Sequence, residues 1–313
     1  MNYSEFIEAV RCEVMEILSR EGKVSVKVQR ITKNNGVELD GLMVLRPDSN
    51  VSPTIYLNDF YNQYQNGRKF GIVVNDIIEI YNKNKDSLKV SEDFFVDFNL
   101  IKDRIIYKTI NYEQNLRLLK DVPHIKIMDL AIAFYCIVEA NEEIRATTLI
   151  HNCHIEKWNI SKDELYKTAF YNTQRLYEPE IRDMYEIIME MMNSVSDNSD
   201  DSSDIDRLAN EYREVPESEI KMYVLTNKKK TNGASCIFYE DVLSRFSKKI
   251  DRDLFVLPSS IHEVIIVPKT DFITKDELKT MVCEVNASEV DECDRLSDNV
   301  YIFEKNGNTL SIA

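Results

Sequence analysis

The chain has 313 residues, with 54 Asp and Glu against 39 Lys and Arg, a formal net charge of −15, and 43% apolar residues. That is about two domains' worth of chain with ample apolar content for real cores, so global disorder is excluded, and seven Gly and seven Pro exclude a fibrous polymer. The acidity argues against wrapping nucleic acid, because affinity for a phosphate backbone comes from Lys and Arg.

The first predicted element is an amphipathic helix over residues 4–19. Phe6, Val10 and Val14 fall at steps of four, Ile7, Ile17 and Leu18 widen the stripe, Ser4 is the expected cap, and Glu5 suits the first turn. Strand-like runs at 23–31 and 37–45 flank Asn35-Gly36, which supplies the positive φ angles of a tight hairpin. Residues 100–119 read as a helical connector. A second hairpin is expected from 129–138 to 146–155, across the polar turn 139–145. Asn-Gly turn chemistry recurs at Asn232-Gly233, between 221–227 and 234–239, and at Asn306-Gly307, between 300–305 and 308–312. A further hairpin joins 253–258 to 262–268.

Two hexapeptides nearly repeat: Ile160-Ser161-Lys162-Asp163-Glu164-Leu165 and Ile273-Thr274-Lys275-Asp276-Glu277-Leu278. Each is a Ser/Thr-x-x-Glu capping box that opens an apolar-periodic segment after a hairpin. Another helix begins near Tyr239-Glu240-Asp241-Val242-Leu243. The order strand–strand–helix therefore recurs, which predicts an α+β fold of antiparallel β-hairpins with helices on one face, in internally repeated ββα-type units. Between the repeats, residues 194–219 carry nine Asp and Glu against two Arg and read as an acidic, Ser/Asp-rich linker. The expected organisation is an N-terminal helix–hairpin–helix unit at 1–100, a connector plus ββα unit at 101–193, the linker, and two ββα-type units with a terminal hairpin at 220–313.

The chemistry-bearing residues are sparse. Of the four histidines, His151 and His154 flank Cys153 on what reads as a strand, which would point His151 and Cys153 to one face and His154 to the other. That leaves two ligand types together where a structural zinc needs four, so no metal site is assigned. Ser260, His262 and Glu263 lie close in sequence, without the Gly-x-Ser-x-Gly elbow of a nucleophilic serine, and read first as a turn entering a strand. Asn227, Lys229 and Asn232 surround a Lys-Lys-Lys tract at 228–230 that could meet an anion or an acidic partner. With so little Gly and no phosphate-cradling loop, no cofactor is expected.

The start of the chain, MNYSEFIEAV, lacks a leader pattern, and the longest apolar stretch, 127–138, contains Asp129 and falls well short of the about 20 residues of a membrane span. Six scattered cysteines without a Cys-x-x-Cys pair read as the reduced thiols of a soluble, cytoplasmic protein.

Several stretches together carry a resemblance. They are Asn34-Asn35-Gly36-Val37-Glu38-Leu39-Asp40-Gly41-Leu42, Ser52-Pro53-Thr54-Ile55-Tyr56-Leu57-Asn58, Asp121-Val122-Pro123-His124, Leu149-Ile150-His151-Asn152, Met222-Tyr223-Val224-Leu225-Thr226-Asn227 with Gly233-Ala234-Ser235, and Leu257-Pro258-Ser259-Ser260-Ile261-His262-Glu263-Val264. Nearly end to end, the chain resembles an uncharacterised bacterial family, domain of unknown function 5688, frequent in anaerobic gut bacteria of the clostridial group. The 226–234 and 257–260 segments more loosely resemble a second uncharacterised bacterial family. The resemblance implies no known activity. The residues themselves favour a non-catalytic module that binds a protein or peptide at sheet faces or edges. The alternative is a hydrolase-like enzyme gathering His151, His154, Ser260, His262 and Glu263 from different hairpins.

Overall fold

A computed structural model of the chain describes residues 1–20, 22–47, 52–85, 96–140, 145–196 and 221–313. Beyond residue 196, the acidic segment 194–219 lies outside the described residues.

Helix α1 (Tyr3–Ser19) buries Phe6, Val10, Val14 and Leu18, the stripe its periodicity demands. Its cap is Asn2 rather than Ser4: the Asn2 side chain accepts the N–H of Glu5 at 2.9 Å, and the Glu5 carboxylate accepts the N–H of Asn2 at 2.9 Å. The first sheet is antiparallel, in the order β1 (Ser25–Thr32), β2 (Glu38–Leu45), β3 (Thr54–Tyr56), with Ser25 opposite Leu45 and Thr32 opposite Glu38. Asn35 and Gly36 take φ of 59° and 73° at its turn, as Asn-Gly chemistry requires. Helices α2 (Asn58–Gln65) and α3 (Phe70–Asn84) follow, and Val73, Val74, Ile77 and Tyr81 of α3 close a core over Phe6, Val10, Leu42 and Ile55.

The expected helical connector at 100–119 is mostly not helical. After the single-turn α4 (Phe98–Ile101), residues Ile105–Asn111 form strand β4, buried along almost its whole length. A strand covered on both faces loses the polar–apolar alternation that marks a strand, so its apolar run is indistinguishable from a buried helix. Following α5 (Leu116–Leu119), strand β6 (Leu130–Ala140) pairs with β4, with β5 (His124–Ile127) and with β7 (Arg145–Leu149). The hairpin expected through residue 155 ends at Leu149, and helix α6 (Asn152–Trp158) takes the rest. Helix α7 (Lys162–Leu176) then packs on β4, its N–H at Glu164 capped by the Ser161 hydroxyl at 3.1 Å.

The third sheet has six antiparallel strands in the order β13-β12-β10-β11-β9-β8. Strand β8 (Pro179–Asp183) leads into α8 (Met184–Ser196), and β9 (Tyr223–Asn227) resumes the sheet. Strands β10 (Leu254–Leu257) and β11 (Val264–Pro268), and β12 (Tyr301–Glu304) and β13 (Thr309–Ile312), form the two expected hairpins. Asn232-Gly233 does not make one. Strand β9 already has β8 on one side and β11 on the other, so residues Gly233–Phe238 fold into a buried 3-10 turn instead. A Cβ at Gly233 would stand 2.2 Å from Thr226 Oγ1 and 2.5 Å from the carbonyl of His262, so only glycine fits. Helix α9 (Val242–Ile250) follows that turn, and α10 (Lys275–Ser288) opens with a complete Thr274/Glu277 capping box.

The fold is thus α+β, with three antiparallel sheets among the described residues. The largest core joins Ile105, Tyr107 and Phe134 of the four-stranded sheet to Leu225, Val256 and Tyr301 of the six-stranded one. The N-terminal sheet keeps its own core and touches the rest through its β1–β2 turn. There Asn34 Nδ2 donates to the carbonyl of Cys293 (2.7 Å), and Asn35 Nδ2 donates to those of Glu292 (2.8 Å) and Arg295 (2.7 Å). No helix among the described residues is long and apolar enough to cross a membrane.

Candidate functional site

The five residues considered for catalysis fall into two groups. His151 and His154 lie at the start of α6 rather than on a strand, three residues apart, with ring centroids 5.7 Å from each other. His151 Nδ1 sits 2.7 Å from Asp121 Oδ2. His154 Nδ1 accepts the backbone N–H of His151 at 3.0 Å, and its ring stacks on Trp158 at 5.5 Å. Burial, helped by the charges of His151 and Lys157, pushes the His154 imidazole down, which favours the neutral form that an acceptor nitrogen needs.

The second group surrounds the entry to β11. Ser260 Oγ accepts the N–H of His262 at 3.0 Å. His262 Nδ1 accepts the N–H of Asn232 at 3.3 Å, and its Nε2 lies 3.5 Å from Asp294 Oδ2. Neither ring nitrogen is directed at the serine hydroxyl, so the arrangement does not present the base–nucleophile contact that acyl transfer needs. Glu263 is half-buried at the head of β11. Asp294, the partner of His262, was illegible in the sequence because it stands in a separate 3-10 turn 32 positions away.

Asn227 is 1% exposed and builds its own turn: Oδ1 accepts the N–H of Lys229 at 2.9 Å and Nδ2 donates to the carbonyl of Thr231 at 2.8 Å. Asn232 holds a left-handed conformation, φ 52°. Lys229 is exposed beside Lys228, which pairs with Glu178 at 2.6 Å. Among the described residues, no group of three His, Cys, Asp or Glu is placed to hold a metal ion.

Two further features stand out. The first is the open edge of β1. The N–H groups of Asp40 and Val44 go to Asn58 Oδ1 and Ser52 Oγ on the β3 side, each at 3.0 Å. Odd-numbered residues of β2 therefore face β1, and Val26, Val28, Arg30 and Thr32 aim their backbone groups away from the sheet. Lys23, Lys27, Arg30 and Lys33 punctuate this edge, with no acidic residue between positions 23 and 37.

The second feature is Lys108, in the middle of β4. Its Nζ donates to Thr147 Oγ1 at 2.9 Å and lies 4.3 Å above the ring of Tyr135. Burial, with the charge of Lys33 as a lesser cause, pushes its amine down to about 8. The sequence signal was a single lysine inside the apolar run 105–110, masked by reading that run as helix.

The chain belongs to a family of unknown function, DUF5688, whose family model matches residues 3–305. No curated protein and no solved structure matches it.

Proposed function

We propose that this is a non-catalytic cytoplasmic binding protein that receives an extended acidic segment of a protein partner along the edge of β1. The observation that carries the reading is that edge: an eight-residue strand with strand β2 on one side and outward-facing backbone groups on the other, carrying Lys27 and Arg30, the latter paired with Glu38, and flanked by Lys23 and Lys33 in an otherwise acidic chain. Strand addition draws affinity from main-chain hydrogen bonds, and flanking charge selects the partner. The hydrolase-like alternative has weaker support, because the Ser260 oxygen and Nδ1 of both His154 and His262 accept backbone N–H groups, and His262 Nε2 faces Asp294 rather than the serine.

Fluorescence anisotropy with extended acidic peptides, guided by partners captured in native mass spectrometry, tests the reading. Arg30→Pro deletes an outward N–H without touching the ladder to β2 and is expected to weaken binding at least tenfold, while Lys27→Glu weakens it through charge. Full affinity in a folded Arg30→Pro protein would remove β1 as the receiving edge.

A further inference from the structure

We propose that the cleft at the start of α9 binds a small apolar primary amine, whose ammonium group is held by Glu240, Asp241 and Ser244. The cleft lies between the β5–β6 turn, the start of α9 and the β12–β13 hairpin, and it shares no residue with the β1 edge.

Three separate stretches of chain build this cleft of about 420 Å³, a volume suited to a small molecule. The β5–β6 turn supplies Ile127 and Met128, and the β12–β13 hairpin supplies Phe303 and Leu310. Ile237 and Leu243, both buried, join them, so much of the lining is apolar. The charged side chains of the lining are Glu240 and Asp241, and among the described residues no Lys, Arg or His lines it. The charge that complements such a cleft is positive, and an incoming carboxylate or phosphate would meet two like charges.

Within residues 240–244, three side chains have oxygens to spare. Among the described residues Glu240 makes no ion pair or side-chain hydrogen bond. Asp241 occupies the N-cap position of α9, where aspartate ordinarily accepts a helix N–H from an extended backbone. Here its backbone is left-handed, φ 62°, and its carboxylate caps nothing. Its one ion pair is a surface contact, 3.5 Å to Arg245, whose side chain is 81% exposed and outside the cleft. Ser244 follows three residues on, the spacing that puts two residues on one helix face. It lines the cleft, is only 7% exposed, and its hydroxyl has no hydrogen-bond partner among the described residues. A buried hydroxyl without a partner is costly until a ligand or water completes it. An ammonium group brings three N–H donors and no acceptor, which matches the three sets of acceptor oxygens. Its apolar remainder matches the rest of the lining.

Titration calorimetry of the full chain at neutral pH tests this with matched small molecules. Phenethylamine, neutral 2-phenylethanol and anionic phenylacetate share one apolar body, and butylamine carries the ammonium on an aliphatic chain. The expected result is saturable one-to-one binding of at least one amine, with 2-phenylethanol at least tenfold weaker and phenylacetate not bound. Ser244→Ala removes an acceptor without stranding a partner, so it should leave the fold intact and weaken amine binding at least threefold. Glu240→Gln combined with Asp241→Asn should weaken it at least tenfold; asparagine, like aspartate, tolerates the left-handed backbone at position 241. Arg30→Pro should leave amine binding unchanged, so the two sites are read separately. Absence of saturable heat with both amines, 2-phenylethanol binding as tightly as the amines, or amine binding indifferent to the double variant would overturn the proposal. Should the double variant fail to fold, Ser244→Ala and the comparison of amine with alcohol decide.

Discussion

Single side chains here carry consequences far from their place in the sequence. Asp129, at the turn between β5 and β6, accepts hydrogen bonds from Ser297 Oγ (2.6 Å), Asn299 Nδ2 (3.0 Å) and the phenol of fully buried Tyr301. Asp129→Ala strands all three donors and should lower stability by about 3 kcal/mol, measured by urea unfolding; Tyr301→Phe, which removes a donor instead, should cost about 1 kcal/mol. In the sequence Asp129 registers only as an interruption of an apolar run, since the three side-chain donors to its carboxylate lie more than 160 positions away. Lys108 makes a pH-dependent prediction. Its amine sits near 8 when folded, against the usual 10.5 when unfolded, so between those values the unfolded chain binds more protons. Stability should therefore rise with pH through that window, relative to Lys108→Met. Below about pH 8 the buried charge should cost the wild type at most about 3 kcal/mol. Parallel stability–pH curves for the two proteins would show that Lys108 titrates normally.

At the scale of elements, turns and caps were legible where local chemistry acts alone. Asn35-Gly36 and Asn306-Gly307 turn hairpins because each leaves one strand, β1 or β13, at the edge of its sheet, where no other strand competes for it. Asn232-Gly233 has the same chemistry, but the flanking strand was already claimed on both edges, and that competition is tertiary. Strand β4 reads as helix in the sequence for a related reason: a central strand buried on both faces shows no alternation. The same loss hides Lys108, whose amine burial pushes down. In the sequence the hairpin reads six residues beyond its end at Leu149, which puts His151 and His154 on a strand instead of at the start of α6. The capping hexapeptides, by contrast, both open helices. In α10 the Thr274 hydroxyl and the Glu277 carboxylate satisfy each other's backbone N–H, so Thr274→Ala should cost about 1 kcal/mol in thermal unfolding. The two helices serve different sheets, α7 against β4 and α10 against β10.

At the scale of the molecule, the two largest buried apolar clusters are one drawn from positions 6–81 and a larger one running from Phe98 to Phe303, with three smaller clusters among residues 106–300. The sole tryptophan, Trp158, belongs to the larger core. Its fluorescence should follow that core alone, while far-ultraviolet circular dichroism follows both. Urea curves from the two probes should therefore separate; superimposed curves would mean the cores unfold as one. Coupling runs through the β1–β2 turn, where Asn35 and Asn115 also exchange bonds, Asn35 N–H to Asn115 Oδ1 and Asn115 Nδ2 to Asn35 Oδ1, each at 2.9 Å. Asn35→Ala should widen the separation of the curves without moving the tryptophan midpoint.

That fastening is also a clock. The glycine after Asn35 leaves its backbone nitrogen sterically free to attack the side-chain carbonyl carbon of Asn35, expelling ammonia, and water then opens the ring to a carboxylate. The amide nitrogen that grips the carbonyls of Glu292 and Arg295 is the atom that departs. An oxygen would take its place, facing two oxygens, and a joint made of donors would become a repulsion. Protein aged at mildly alkaline pH should accumulate this change at Asn35, seen by peptide mass spectrometry, and should lose its inter-core coupling in step with it.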